Sequence, residues 1–536
     1  MIISKQSLWA VLVLGISIQA FAQDPIAQKY AGQITPKLAK KHLKILASDK
    51  FEGRETGKPG AEKAANYIAA EFKKLGLTAP VNGSYFQPVP LVQTALEVSS
   101  FTANGSALTQ GKDFLLNGSG VNRSISANEI VFIGYGISSD NYDDLKNTDI
   151  NGKVVLLINK GEPMSNGVSS ISKSSTPSDW TSSRNKRLQN VMSKGPALIL
   201  AVSPDVSASL VQFRPSSGRL SLKREGNSPV STRAVSAAVV YISPEVAELF
   251  LKNSGKTYKE LKSAIDNSAS PQTQVLKSDV SINYGQVLKD VNSVNVLGFL
   301  EGSDLKEEVL VISAHYDHIG LTTDGGKDKV NNGADDDGSG TTGVLEIARA
   351  YSKAKKGGHG PRRSILFLLV TGEEKGLLGS EWYSDHPLYP MANTITDLNI
   401  DMIGRIGEEY KGAADSANYC YLIGSDKLST DLHKISENAN AIYTKLNINY
   451  KYNDPQDPER FYYRSDHYNF AKKGVPIIFY FNGVHEDYHR PSDEVKKINF
   501  DLLAKRTQLV FYTGWDLVNR DKRPVVDVSN NMPNSR

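Results

Sequence analysis

Apolar positions recur along the chain with two spacings, and the changes of spacing divide it. Over residues 61–75, Ala64, Ala65, Ile68, Phe72 and Leu75 fall on one face, which predicts an amphipathic helix that Gly76 ends. A glycine-rich stretch, EGRETGKPG from Glu52 to Gly60, leads into it. Between about 95 and 285, short β-rich runs (129–134, 153–158, 197–202, 238–242) alternate with turns. A Ser-rich loop occupies 164–184, and Ser243-Pro244-Glu245 signals a helix start. From about 290, apolar strands ending at Ala314, Val370, Asp401 and Phe481 alternate with amphipathic helices. One such helix is 341–352, with Val344, Leu345, Ala348 and Tyr351 on one face. That alternation predicts an α/β fold, a mostly parallel central sheet flanked by helices, with sites at the carboxyl ends of its strands. The tail after about Arg520 is polar and is expected to be loose.

Composition narrows the classes. The 536 residues carry 62 Lys and Arg against 58 Asp and Glu, with 40% hydrophobic and 22% charged positions. This describes a globular chain with no basic stripe, so no nucleic-acid partner is expected. Lys5, an apolar run from Leu8 to Ile18 and the ending Ala20-Phe21-Ala22 predict a signal peptide over 1–22, and so an exported, periplasmic or secreted protein. That run is shorter than the roughly 20 residues a bilayer span needs, and no later run is longer, so no stable membrane insertion is expected. Cys420 is the only cysteine, which excludes an internal disulfide and suits a small buried side chain.

The candidate chemistry lies at successive strand ends of the α/β region. These positions hold His315-Tyr316-Asp317-His318, then the loop Asn331–Gly340 with Asp335, Asp336 and Asp337, then Glu373-Glu374, Asp401, and His485 to Asp493. Carboxylates gathered on one sheet edge repel one another, so a cation is their natural partner. Imidazoles and carboxylates without thiolate suit Zn²⁺ better than Ca²⁺ or Mg²⁺. Five ligands exceed what one open catalytic zinc takes, and they suit two ions about 3.5–4 Å apart that share a carboxylate.

The segments SAHYDH, GADDDGSG, TGEEKGLLGS, LNIDMIG and YHRPSDE, in this order, resemble the co-catalytic di-zinc exopeptidases, the family of bacterial leucyl aminopeptidases and glutamate carboxypeptidase. The resemblance covers roughly 290–520 together with 52–75. NTDINGKVVLL at 147–157 resembles a protease-associated domain. The implied organisation is a signal peptide (1–22), the start of the catalytic domain (23–94), a β-rich protease-associated-like insertion (95–287), the di-zinc catalytic domain (288–520) and a tail (521–536).

The resemblance implies that His315 and Asp401 bind one zinc, Glu374 and His489 the other, and that Asp336 bridges them. Glu373 is implied as general base toward a water bridging the two zincs, and the peptide bond after Asp336 as cis. Asp317 would orient His315 by hydrogen-bonding its far nitrogen, and Asp493 would do the same for His489. Tyr462, or its neighbour Tyr463, would face the substrate. His318, His467 and His485 are read as supporting side chains rather than ligands. The expected activity is removal of N-terminal residues from peptide substrates. Carboxypeptidase action, single-zinc glutaminyl cyclisation and a non-catalytic receptor-like role are the alternatives. The loops 404–418 and 450–464 carry no readable code for residue preference, and nothing indicates the oligomeric state.

Overall fold

A computed structural model describes residues 23–118, 122–212, 218–224, 237–322 and 326–533; the expected signal peptide lies outside them. The chain divides into two units, Leu91–Val291 and the stretches on either side of it.

In the flanking unit, four strands run parallel: Ile477–Phe481, Thr394–Ile400, Leu305–His315 and Arg363–Val370, in that spatial order. Tyr419–Ile423 continues one side antiparallel to Ile477–Phe481, with Asn447–Asn449 parallel beyond it, and residues 296–300 pair antiparallel with Arg363–Val370 on the other. This is the mostly parallel sheet that the alternating pattern predicts. Its strands are buried on both faces, as a helix-covered parallel sheet requires. Leu310, Ile312, Phe367, Leu398 and Tyr480 turn to one face, where they join Phe72, Val344, Tyr351 and Leu509 from helices Pro59–Leu75, Gly338–Lys356 and Phe500–Asn519. Val311, Leu366, Leu368 and Phe479 alternate onto the other face, toward Tyr383 and Phe470.

Local signals account for the helix ends. Pro59–Leu75 has proline in its first turn, Lys73 and Lys74 in its last, and Gly76 at φ 78° beyond it. Cys420 is buried in this unit's core.

Leu91–Val291 builds its own core around a second parallel set: Val154–Ile158, Leu198–Val202 and Ala238–Ile242, continued by the end of Arg123–Phe132. Phe114–Asn117 borders it antiparallel. Helices accompany the expected strands, among them Arg184–Met192, Pro244–Leu251 and Tyr258–Ser268. Ser243 caps Pro244–Leu251 by accepting from the Val246 amide, and Thr257 with Glu260 forms a capping box on Tyr258–Ser268.

The tail corrects an expectation. Residues 521–533 are polar but fastened: the Asp527 and Val528 amides donate to the Leu428 carbonyl, the Asp527 carboxylate accepts from Thr430, and Met532 is buried. Their polar groups find partners on the folded surface, which hydropathy along the chain cannot reveal.

Among the described residues, no helix is long and apolar enough to cross a membrane.

Candidate metal centre

Three adjacent parallel strands release His315, the Thr371–Glu374 turn and Asp401 on one sheet edge, and the Asp335–Asp337 loop rises beside them. His315 is buried with two nitrogens in different surroundings. Its Nδ1 lies 3.1 Å from the main-chain oxygen of Asp317. A carbonyl can only accept, so Nδ1 carries a proton, which leaves Nε2 as the atom that would bind a cation. Nε2 lies 3.4 Å from Asp336 Oδ1, 3.6 Å from Asp401 and 4.0 Å from Glu373. On the other side, His489 Nε2 is 3.1 Å from Asp336 Oδ2 and 3.1 Å from Glu374 Oε2. Asp336 therefore turns one carboxylate oxygen toward each imidazole, between two donor groups. The peptide bond between Asp336 and Asp337 is cis.

The neighbours of these residues are themselves held. Asp337 caps helix Gly338–Lys356 and accepts from the amides of Gly340, Met402 and His315. Asp335 accepts from Ser339 and the Gly404 amide, and its other oxygen faces His485 at 3.1 Å. Both carboxylates thus tie the loop to the strand ends. His318 Nδ1 meets Glu374 Oε1 at 2.7 Å, the oxygen that His489 does not use, and so orients Glu374. The grouping of ligand atoms is compatible with metal in two places, His315 with Asp337 and Asp401, and His318 with Asp336 and Glu374. The three amides already bound to Asp337 favour Asp336 as the carboxylate beside His315.

Three expectations are corrected. The carboxylate of Asp317 does not hydrogen-bond His315, from which it is 3.9 Å away; it accepts from Thr56 at 2.6 Å and from the Glu373 amide at 3.3 Å. Its main chain has taken the orienting role. Asp493 does not hold His489; it accepts from the amides of Asp335 and Asp336 and fixes the loop from below. Tyr462 does not face the site. It is buried, and its hydroxyl accepts from Asn530 at 2.8 Å, while the Tyr463 hydroxyl donates to the Pro533 carbonyl. His467 bonds the Tyr462 carbonyl, away from the ligands.

The phenol in the cleft is Tyr488, which stacks on His489 at 3.9 Å between ring centroids. Its place beside His489, which the resemblance implies as a ligand, was the available signal. Met402, Phe461, Phe479, Phe481 and Val484 supply an apolar wall, and Arg464 a single added cation.

The second residue that sequence reading missed is Arg54. Its buried guanidinium donates to the carbonyls of Leu46, Tyr316, Asn332 and Gly333 at 2.7–2.9 Å. Gly53 allows the close approach: at φ 65°, a Cβ there would lie 2.4 Å from the Gly320 oxygen.

The electrostatics separate the carboxylates. Burial opposes ionisation of Asp336, yet His318, His315 and His489 hold it well below the usual carboxylate range. Burial pushes Glu373 well above that range, against the pull of His315 and with repulsion from Glu374, Asp466 and Asp401. Burial works against charge on His489 too, but Asp336 and Glu374 raise its pKa to about 10. The donor set fits zinc: two imidazoles and three carboxylates without thiolate, their facing atoms 3.1–3.6 Å apart.

Residues 295–514 match the family model described as Peptidase family M28. Among curated proteins, the chain is 24% identical over 248 residues to "Aminopeptidase YwaD" of Bacillus subtilis (43% of this chain, 46% of that one). It is 26% identical over 263 residues to "Leucine aminopeptidase 2" of Trichophyton rubrum (44% and 47%) and 25% over 329 residues to a "Probable zinc metalloprotease" of Pyrenophora tritici-repentis (55% and 62%). The matches thus span roughly half of these relatives' lengths. The solved aminopeptidase from Aneurinibacillus sp. strain AM-1 shares the fold, with TM-score 0.50 and 18% identity over 95% of this chain and 100% of that one.

Proposed function

From the match of residues 295–514 to the peptidase family M28 model, we propose that the protein is an exported zinc-dependent exopeptidase, an aminopeptidase that hydrolyses N-terminal residues from peptides. The observation that carries this reading is the carboxylate of Asp336, set between His315 with Asp401 on one side and His489 with Glu374 on the other.

His315, Asp401 and one oxygen of Asp336 would hold one zinc ion; Glu374, His489 and the other oxygen would hold the second. When bound, the pair would polarise the scissile carbonyl and bring the pKa of water toward neutrality. The chain's own residues do the rest. Glu373 is close to the ligands but makes none of their short contacts, and its buried position raises its proton affinity. A carboxylate so placed takes a proton from the attacking water and delivers it to the leaving amine. Asp317 holds the Glu373 main chain, and Tyr488 offers a hydroxyl to the tetrahedral oxyanion. The apolar wall takes the side chain of the residue to be released. Export rests on the charged start and apolar run of residues 1–22.

A panel of peptides with free or acetylated N-termini, read together with metal analysis, tests the reading. Release of the first residue from free peptides only, with two zincs per loaded chain, is the expected result. Release of C-terminal residues from blocked peptides would replace it with carboxypeptidase action, and one zinc per loaded chain would remove the two-metal arrangement.

A further inference from the structure

One side of the cleft stands on a short turn. Phe461–Tyr463 forms a single turn of 3-10 helix, with Phe461 and Arg464 lining the cleft. The two face it together, the Arg464 guanidinium lying 4.6 Å over the Phe461 ring and its Nη2 3.5 Å from the Tyr488 hydroxyl. The intervening Tyr462 and Tyr463 point the other way, into the C-terminal segment.

That segment reaches the turn through a series of anchors. Val525 donates its amide to Asp431. Asp527 accepts from the Thr430 amide at 2.8 Å and its hydroxyl at 2.5 Å, and Lys427 reaches Asn531 at 3.4 Å. Asn530 then donates to the Tyr462 hydroxyl, and the Tyr463 hydroxyl donates to the Pro533 carbonyl at 2.5 Å. Between those two bonds Met532, 5% exposed, enters the apolar cluster that holds Phe461, Tyr462, Tyr463 and Phe479.

We propose that residues 527–533 are a strap that positions the Phe461–Arg464 wall, so that the C-terminal segment sets how tightly the cleft holds a substrate side chain. Asn530, Met532 and Pro533 are positioning residues, since they reach the substrate only through the turn. The inference rests on the reading of the cleft as a peptide site, but its structural half does not depend on that activity. Loosening the strap shifts Phe461 and Arg464 and leaves the ligands in place, so affinity suffers and chemistry does not.

The test uses the full chain carrying Met532→Asp, Asn530→Ala as a milder release, Met532→Leu as conservative rescue and Val526→Ser as control at an exposed tail position. Expected for the first two is a KM for peptides with an apolar first residue raised about fivefold or more, with kcat within about twofold and zinc content unchanged. Amide hydrogen exchange at 461–466 should quicken in those variants and stay at the wild-type rate in the rescue and the control. If exchange at 461–466 is unchanged in Met532→Asp and Asn530→Ala, the strap is refuted whatever the activity. A lowered melting temperature with KM unchanged would reduce the segment to a stabilising role and overturn the proposal. Absence of any peptidase activity in the wild type would count against the function alone, because the exchange measurement still decides the strap.

Discussion

Both units of the chain set parallel strands side by side and end them on polar residues, but the residues differ. In Leu91–Val291, Val154–Ile158 is followed by Asn159, Leu198–Val202 by Ser203 and Ala238–Ile242 by Ser243. These groups are neutral and bind locally: Asn159 donates to the Ser203 hydroxyl at 2.9 Å, and Ser243 caps the following helix. In the flanking unit the equivalent places hold His315, Glu373, Glu374 and Asp401, whose charges are gathered rather than paired off. The same architecture thus yields a neutral, closed edge or a charged, reactive one, according to the residues its strands deliver. Burying like charges is costly unless a cation compensates them, so the reactive edge trades self-sufficiency for a ligand.

Substitutions on the two edges should therefore differ in kind. Glu373→Gln should lower kcat by about 10²–10⁴ while both metals stay bound, as expected for a general acid–base residue. Near-full activity in that variant would erase the contrast in chemistry. Chelation should come next in size: a cation bound at about one hundred times its Kd stabilises by about 2.7 kcal/mol, so calorimetry of the stripped protein should show a lower transition for the flanking unit and an unchanged one for Leu91–Val291. A shift in both would mean that the two edges are not independent.

The proton balance sharpens the comparison further. The folded pKa of His489, about 10, lies above its unfolded value of about 6.5. In the metal-free protein its contribution to stability is therefore complete below about pH 6.5 and is lost as pH rises through about 10. Zinc must displace that proton, so binding at pH 7 should release at least one proton and strengthen toward pH 10. Titration calorimetry in buffers of different ionisation enthalpy measures the release, and its absence would contradict the His489 assignment. The smallest effect belongs to the closed edge, where Asn159→Ala should cost about 1 kcal/mol in chemical denaturation and leave hydrolysis unchanged.

What the sequence made legible follows the range of the interactions. Strands, the helices at 59–75 and 338–356, and the gathering of His315, Glu373, Glu374 and Asp401 are short-range patterns, in which a strand delivers its next residues to the sheet edge. The partners of Asp317, Asp493 and Tyr462 were misread because each depends on a segment far along the chain. Asp493 binds amides 157 and 158 residues away, and Tyr462 meets Asn530, 68 residues on. A carboxylate near a histidine satisfies the sequence pattern equally well whether it meets the ring or a main-chain amide. Only the path of the loop decides between them.

Arg54 bears on how such a chain can come to exist. It closes a loop of 262 residues to Tyr316 and of 278 and 279 residues to Asn332 and Gly333, and all of Leu91–Val291 lies within that span. Closure entropy grows only with the logarithm of length, so lengthening this loop roughly fourfold costs only about 1 kcal/mol. A unit that folds upon itself would add less still, because its ends are already fixed. Contacts so distant in sequence slow the search for the native state more than they weaken it. Carrying Leu91–Val291 within this loop should therefore tax the rate of folding more than the stability of the folded chain.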